Sequence, residues 1–182
     1  MMLSPDTHSH SAGVVMAEDG ARSELVWRHE VAPEDVDRIR ALVAGTGFFN
    51  AAEVEVAADL VGERLTKGNR AGYAFVLAEC GPALAGFACY GQIHGTQDSC
   101  ELYWIAVAPE VQRRGLGAQV YARAESAMRE AGAKHIYADT SSSERYAPTR
   151  GFYRRMGFAE QALLPDFYAP GDGKIIFVKT LA

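Results

Sequence analysis

Apolar residues in this chain fall on two spacings, and the alternation between the two lays out a series of strands and helices. Residues 24–29 alternate with the period of two that suits a strand buried on one face. Ala32-Pro33-Glu34-Asp35 then opens a helix, since proline is tolerated in a first turn and acids there complement the helix dipole. Val36, Ile39, Leu42 and Val43 follow at helical spacing, and Gly45 and Gly47 end the run. A second helix is expected over 51–65, with Val54, Ala57, Ala58, Val61 and Leu65 inward. Strands over 73–79 and 83–93 flank a turn at Gly81-Pro82, and Gly95-Thr96-Gln97-Asp98 turns into another strand at Ser99. Three strands with short connections make an antiparallel meander.

The pattern then changes. Residues 102–107 are an apolar run rich in aromatic and β-branched side chains, closed by Ala108-Pro109-Glu110. Gln112-Arg113-Arg114-Gly115-Leu116-Gly117 leads into a helix over about 114–131, with Leu116, Val120, Ala124 and Ala127 on one side and Gly132 as its stop. A strand follows at 135–140. Strand, helix and strand form a crossover, so the fourth and fifth strands should run parallel. After a polar loop at 141–145, a short helix covers 147–156 and a strand covers 158–160. Residues 162–173 read as a long turn-rich connection, because Pro165, Pro170 and two glycines exclude a central strand. The last strand spans 174–181. Residues 1–22 show no periodicity and are expected to be an unstructured tail, leaving 23–182 as a single domain.

The candidate chemistry begins at the glycine turn. Gly115 and Gly117 let a ligand approach the backbone with no Cβ in the way. The first N–H groups of the following helix lack intrahelical partners and suit a phosphate, and Arg113 and Arg114 add positive charge. The turn is therefore read as a diphosphate-binding element. It is not a Walker loop, which needs GxxxxGK followed by Ser or Thr. It is not a dinucleotide fingerprint either, because Val120 stands where the third glycine belongs.

Q-x-x-G-x-G directly after a strand ending in Ala-Val resembles the acetyl-CoA signature of the GCN5-related N-acetyltransferases (GNAT). The string Gly151-Phe152-Tyr153-Arg154-Arg155-Met156-Gly157-Phe158 resembles the family's second motif, a Tyr inside FYxxxGF. The resemblance spans about 99–158 by motif, and 24–97 by the order of elements alone. It implies an α/β (α+β) fold of GNAT type: a mixed, mostly antiparallel sheet of about six or seven strands, helices on both faces, and a parallel pair of fourth and fifth strands that splays apart. It further implies acetyl-CoA as cofactor, with the diphosphate held by Gln112, Arg113, Arg114, Gly115, Leu116, Gly117 and Ala118. The pantetheine arm would lie along Ile105, Ala106 and Val107, where a backbone N–H polarises the thioester carbonyl.

Acetyl transfer to an amine also needs an acid for the leaving thiolate and a base for the ammonium. Tyr153 matches the family's general acid, positioned near the sulfur of the cofactor; a neutral phenol meets that need. Two carboxylates compete as base. Glu101 lies on the face of Tyr103, Ile105 and Val107 by strict alternation and matches the histone-type members. Asp139 matches the ribosomal-protein N-terminal acetyltransferases. Phe48 either packs or walls the acceptor pocket, as does Phe49. The loop 165–173 is the expected acceptor-specificity element, with Tyr168 in it, while Asp166 and Asp172 either meet a cationic amine or cap turns.

Bulk properties narrow the partners. A length of 182 residues suits one domain. The net charge of −5 disfavours nucleic acid, which requires a basic face. No apolar run reaches membrane-spanning length and the N-terminus lacks the order of a secretory leader, so a cytoplasmic protein without membrane contact is expected. Cys80, Cys89 and Cys100 have neither pairing number nor metal-ligand spacing; no metal site is expected, and a covalent thiol route is disfavoured. The expected activity is direct transfer from acetyl-CoA to a primary amine of a small molecule or amino acid. A protein N-terminus or lysine is the runner-up, and a non-catalytic acyl-CoA-binding module is the alternative of another class. The resemblance adds a homodimer as an open expectation.

Overall fold

The alternating segments pair into one sheet, and the helical ones cover it. The computed structural model describes residues 14–16 and 22–181. Its elements run β1 (Val14–Met16), β2 (Arg22–Arg28), α1 (Asp35–Gly45), α2 (Ala51–Lys67), β3 (Ala74–Cys80), β4 (Ala83–Gln92), β5 (Ser99–Val107), α3 (Leu116–Glu130), β6 (His135–Ser141), α4 (Ala147–Arg155), β7 (Ala159–Ala169) and β8 (Asp172–Thr180). The strand order is β1-β2-β3-β4-β5-β6-β8-β7. Neighbours are antiparallel except β5 and β6, which are parallel as the crossover requires. Strands β2 to β8 are the seven expected. The expected tail at 1–22 lies outside the described residues, apart from Val14–Met16 and Arg22, which are paired strand.

Each face of the sheet carries its own core. On one side α1 and α2 bury Ile39, Val43, Ala57 and Val61 against Phe75, Leu77 and Phe87. On the other, α3 and α4 bury Leu116, Val120, Met128 and Tyr153 against Val76, Ile136 and Phe177. The start of α2 is fixed by a capping box: Asn50 Oδ1 accepts the Glu53 N–H at 3.0 Å and Glu53 Oε2 accepts the Asn50 N–H at 2.7 Å. This pins the end of the α1–α2 connection that carries Phe48 and Phe49. Leu65, expected inward, is 38% exposed, because the buried stripe of α2 stops at Val61, before the last turn. β2, β3 and α1 are joined by charge: fully buried Asp35 accepts from Arg28 at 2.6 and 2.9 Å, from Arg38 at 3.2 Å and from the Ala32 N–H at 2.7 Å.

Three departures from regular strand geometry shape the site. In the β4–β5 ladder Cys89 opposes Trp104 and Tyr90 opposes Leu102, so Tyr103 is an extra, bulged residue. Cys100 and Leu102 before the bulge, and Ile105 and Val107 after it, pack on the α3 side, whereas Tyr103, Trp104 and Ala106 pack on the α1–α2 side. The bulge thus corrects the strict alternation expected for Glu101. Glu101 and Tyr103 face the α1–α2 side, and Ile105 and Val107 face the other. Second, β5 and β6 pair only at 99–101 with 135–137. β5 continues to Val107 and β6 to Ser141 without pairing to each other, so the sheet opens there.

Third, the expected strand at 158–160 and loop at 162–173 are in fact one long hairpin, β7–β8. Pro165 is tolerated in β7 because it is the edge strand, and its ladder shifts register at Glu160/Ala162 and Leu164/Ala169. Asp166, at φ 54°, accepts the Gly171 N–H at 2.6 Å. It caps the hairpin turn.

Candidate active site

The opening between β5 and β6 has the glycine turn at its outer end. Gly115 is the N-cap of α3 at φ 82°, in the left-handed region that a side chain rarely adopts. The N–H groups of Leu116, Gly117 and Ala118 are therefore those of a first helical turn, beside the exposed residues 112–115. Gln112 Nε2 donates to Val107 O at 3.1 Å and ties the turn to the end of β5. A Cβ built on Gly117 would sit 3.5 Å from the Phe152 ring and 3.6 Å from Val107, so this turn also packs beside the residue preceding Tyr153. The Ala108 N–H is bonded to Ala85 O of β4 at 2.9 Å. By alternation, the peptide groups of Val107 point the other way, into the opening.

A cavity of about 520 Å³ occupies the inner part of the opening. β5 contributes Tyr103, Trp104 and Ile105, β6 contributes Asp139, and α4 contributes Tyr153. The β7–β8 hairpin contributes Tyr168 and Asp172, and the α1–α2 connection contributes Phe48 and Phe49. Of the residues expected from the sequence, the cavity therefore joins Ile105, Asp139, Tyr153, Phe48 and Tyr168. Glu101 and the turn 112–118 are not on its wall; Glu101 lies two residues before Tyr103, and the turn lies past the end of β5. Phe48 stacks edge-on against Tyr146 at 4.7 Å, and Phe49 packs on Trp104 at 4.8 Å. Arg145 donates to Gly47 O at 3.0 Å and lies 5.2 Å from the Phe48 ring, which closes this side of the cavity.

The charges are unevenly held. Asp139 Oδ2 pairs with Lys174 Nζ at 2.5 Å, and Asp139 Oδ1 accepts the Tyr168 hydroxyl at 3.2 Å. Burial first, and then the Asp139 charge, push the Glu101 carboxyl above its ordinary range, while Lys174 pulls it down. Tyr103 is pushed up to about 12 by burial and then by Glu101. The Tyr153 phenol is raised by burial and then by Asp139, so it is a neutral O–H donor at ordinary pH. Its ring is wedged among Phe177 at 5.3 Å, Phe158 at 5.5 Å and Phe152 at 5.9 Å, which fixes where the hydroxyl points. Burial raises the Cys89 and Cys100 thiols, the opposite of nucleophile activation.

Lys174, Tyr146, Arg145 and Glu53 are the site residues that sequence reasoning missed. Lys174 reaches Asp139 only through the β6–β8 register, where Asp139 pairs with Ile176 two residues along the same face. Tyr146 directly precedes the short helix of the second motif, and its aromatic character next to that motif was the available signal. Glu53 lies in the first turn of α2, where the capping box with Asn50 holds it beside the cavity.

The profile of the Acetyltransferase (GNAT) family matches residues 38–158. A protein from Desulfovibrio desulfuricans assigned to the GNAT acetyltransferases has a solved structure that is 43% identical, with a TM-score of 0.85, over 87% of this chain and 99% of its own. Ribosomal-protein-alanine N-acetyltransferase from Brucella melitensis aligns at 22% identity with a TM-score of 0.69, over 86% of this chain and 99% of its own. An aminoglycoside 6'-N-acetyltransferase complexed with coenzyme A aligns at 17% identity with a TM-score of 0.67, over 85% of this chain and 96% of its own. A search of curated proteins finds no match.

Proposed function

The chain belongs to the GNAT acetyltransferase family and is an acetyltransferase, and from that premise we propose that it transfers acetyl from acetyl-CoA directly to the primary amine of a small molecule or amino acid. The observation that carries the reading is the parting of β5 from β6 beyond Glu101 and Tyr137, with an exposed helix N-terminus at one end and an aromatic cavity at the other.

The residues present fit the donor. The N–H groups of 116–118 and the arginines at 113 and 114 would hold its diphosphate. The open edge at Val107 would take the extended pantetheine arm and offer an N–H to the carbonyl oxygen. What acetyl-CoA supplies when bound is an acetyl thioester. Tyr153 Oη holds the proton that the departing thiolate takes up. Asp139 on the cavity wall, or Glu101 two residues before Tyr103 on β5, would draw a proton from an incoming ammonium, directly or through a water.

The cavity favours a small acceptor over a peptide. Its volume of about 520 Å³ is that of a small-molecule site, and the Arg145–Gly47 bond and the Phe48–Tyr146 contact close it on the α1–α2 side. The test is thiol release from acetyl-CoA with a panel of small amines, amino acids, and peptides with free N-termini or lysines. Release with small amines at submillimolar KM supports the proposal. Release confined to peptides would overturn the small-molecule part. Acetyl-CoA binding without release on any acceptor would overturn direct transfer.

A further inference from the structure

Two carboxylates lie on one face of the adjacent strands β5 and β6, Glu101 opposite Tyr137 at the last paired position and Asp139 two residues beyond it, and a lysine is bonded to Asp139. Alternation from the buried pairs Cys100/Leu102 and Ile136/Ala138 puts Glu101 and Asp139 on the same face of adjacent strands. Lys174 enters that face from β8, and its ammonium also lies 5.0 Å from the Phe167 ring, which helps to hold it in place. Both oxygens of Asp139 are engaged, one by Lys174 and one by the Tyr168 hydroxyl. Both of its oxygens are thus occupied by protein donors, and a substrate ammonium would have to displace one of them. Half-buried Glu101 is raised by burial first and then by the Asp139 charge, and Lys174 lowers it.

We propose that Lys174 is a positioning residue: it commits Asp139 to an ion pair and leaves Glu101 as the carboxylate that receives the acceptor's proton, through water. This rests on the amine-acetyltransferase reading of the site and decides between the two carboxylates that reading leaves open. The other titratable groups beside the pair are Tyr137 from β6, which opposes Glu101 in the ladder, Tyr103 from β5, Tyr153 from α4, Tyr168 from β7 and Asp172 from β8. Glu53, Arg145 and Tyr146 lie on the opposite wall of the cavity. Among the described residues, Lys174 is the cation that acts on Glu101 and is paired with Asp139. Removing it leaves the Asp139 charge near Glu101 without a counter-charge and must raise the pH at which Glu101 becomes a base.

The experiment is the pH profile of kcat/KM, measured by thiol release with the best amine of the panel, for wild type, Lys174→Met, Lys174→Arg, Glu101→Gln and Asp139→Asn. In Lys174→Met the acidic limb should move up by about one to three pH units, and Lys174→Arg should restore it. Asp139→Asn should move the limb to lower pH, because a neighbouring negative charge is gone, whereas Glu101→Gln should abolish it. Loss of the limb in Asp139→Asn with its retention in Glu101→Gln overturns the assignment. So does a Lys174→Met enzyme that is uniformly slower with an unmoved limb, which is what a merely structural lysine predicts. If Lys174→Met does not fold, Lys174→Gln gives the same readout with a polar end retained. Absence of thiol release by the wild type with every amine would instead sink the acetyltransferase reading itself, and this assignment with it.

Discussion

Replacing Tyr153 by Phe removes one oxygen from the site and almost nothing from the fold. The ring is held by three aromatic neighbours between 5.3 and 5.9 Å, and all of those contacts survive the substitution. The stability change should therefore stay within about 1.5 kcal/mol, the net worth of one hydroxyl's hydrogen bonding. If the phenol is the acid that protonates the leaving thiolate, turnover should fall by about 100- to 10,000-fold, or roughly 3 to 5 kcal/mol of barrier. The two magnitudes are far enough apart to be told apart in one preparation. Thiol release at saturating acetyl-CoA reports the turnover, and thermal unfolding reports the fold. Burial and the Asp139 charge keep the wild-type phenol protonated well past neutral pH, so its titration should contribute no alkaline limb below the upper end of the assay range. A donor with a more acidic leaving thiol should narrow the gap between the variant and wild type, since less proton assistance is needed. Turnover of Tyr153→Phe equal to that of wild type, with an intact fold, would falsify the acid role.

Other consequences can be measured the same way. Gly117→Ala meets its neighbours only at ordinary contact distances, so its unfolding temperature should match wild type while the KM for acetyl-CoA rises, because the lost space is on the ligand side. Equal KM values would remove Gly117 from the cofactor site. Phe48→Ala should raise the KM for the acceptor with little change in kcat, as expected for a wall that binds ground state and transition state alike. Asp35→Ala leaves Arg28 and Arg38 without their buried partner and should cost about 3–5 kcal/mol in a denaturant titration. Burial alone would raise the Asp35 carboxyl, but the bonds from Arg28 and from the Ala32 N–H, with the Arg28 and Arg38 charges, bring it below its ordinary range. A depressed folded-state value means stability that is present above the unfolded value of about 3.9 and is lost as pH falls through the folded one. Asp35→Asn should flatten that acid dependence, and an unchanged acid transition would refute the assignment.

How much of this was legible beforehand depended on whether a feature is written along one segment or between two. The helices and most strands were legible because burial imposes a period on the segment itself; Ile39, Val61 and Val120 announce their faces without a partner. The glycine turn and the Tyr153 motif are contiguous and were equally readable. The bulge at Tyr103 was not, because an extra residue in β5 is defined only by what β4 places opposite it. Strict alternation accordingly assigned Glu101 the wrong company. The length of β7 was hidden for a different reason: Pro165 and Asp166 carry turn chemistry, and only an edge position lets a strand continue through it. The Lys174–Asp139 pair joins residues 35 apart through strand register, which no local pattern encodes.

That edge position has a consequence for how such a protein can change. All eleven residues of β7 are exposed, Tyr168 among them at 48%, although this strand reaches the mouth of the cavity proposed for the acceptor. Substitutions there remove little buried surface, so they act on acceptor choice almost without touching stability. Tyr153, by contrast, sits in the aromatic core of the opposite face, where most changes would unfold the protein before they altered its chemistry. The hairpin therefore separates what must be kept from what is free to vary. A lineage, or an experimenter building a library across 163–169, could explore new amines on an unchanged acetyl-transfer engine.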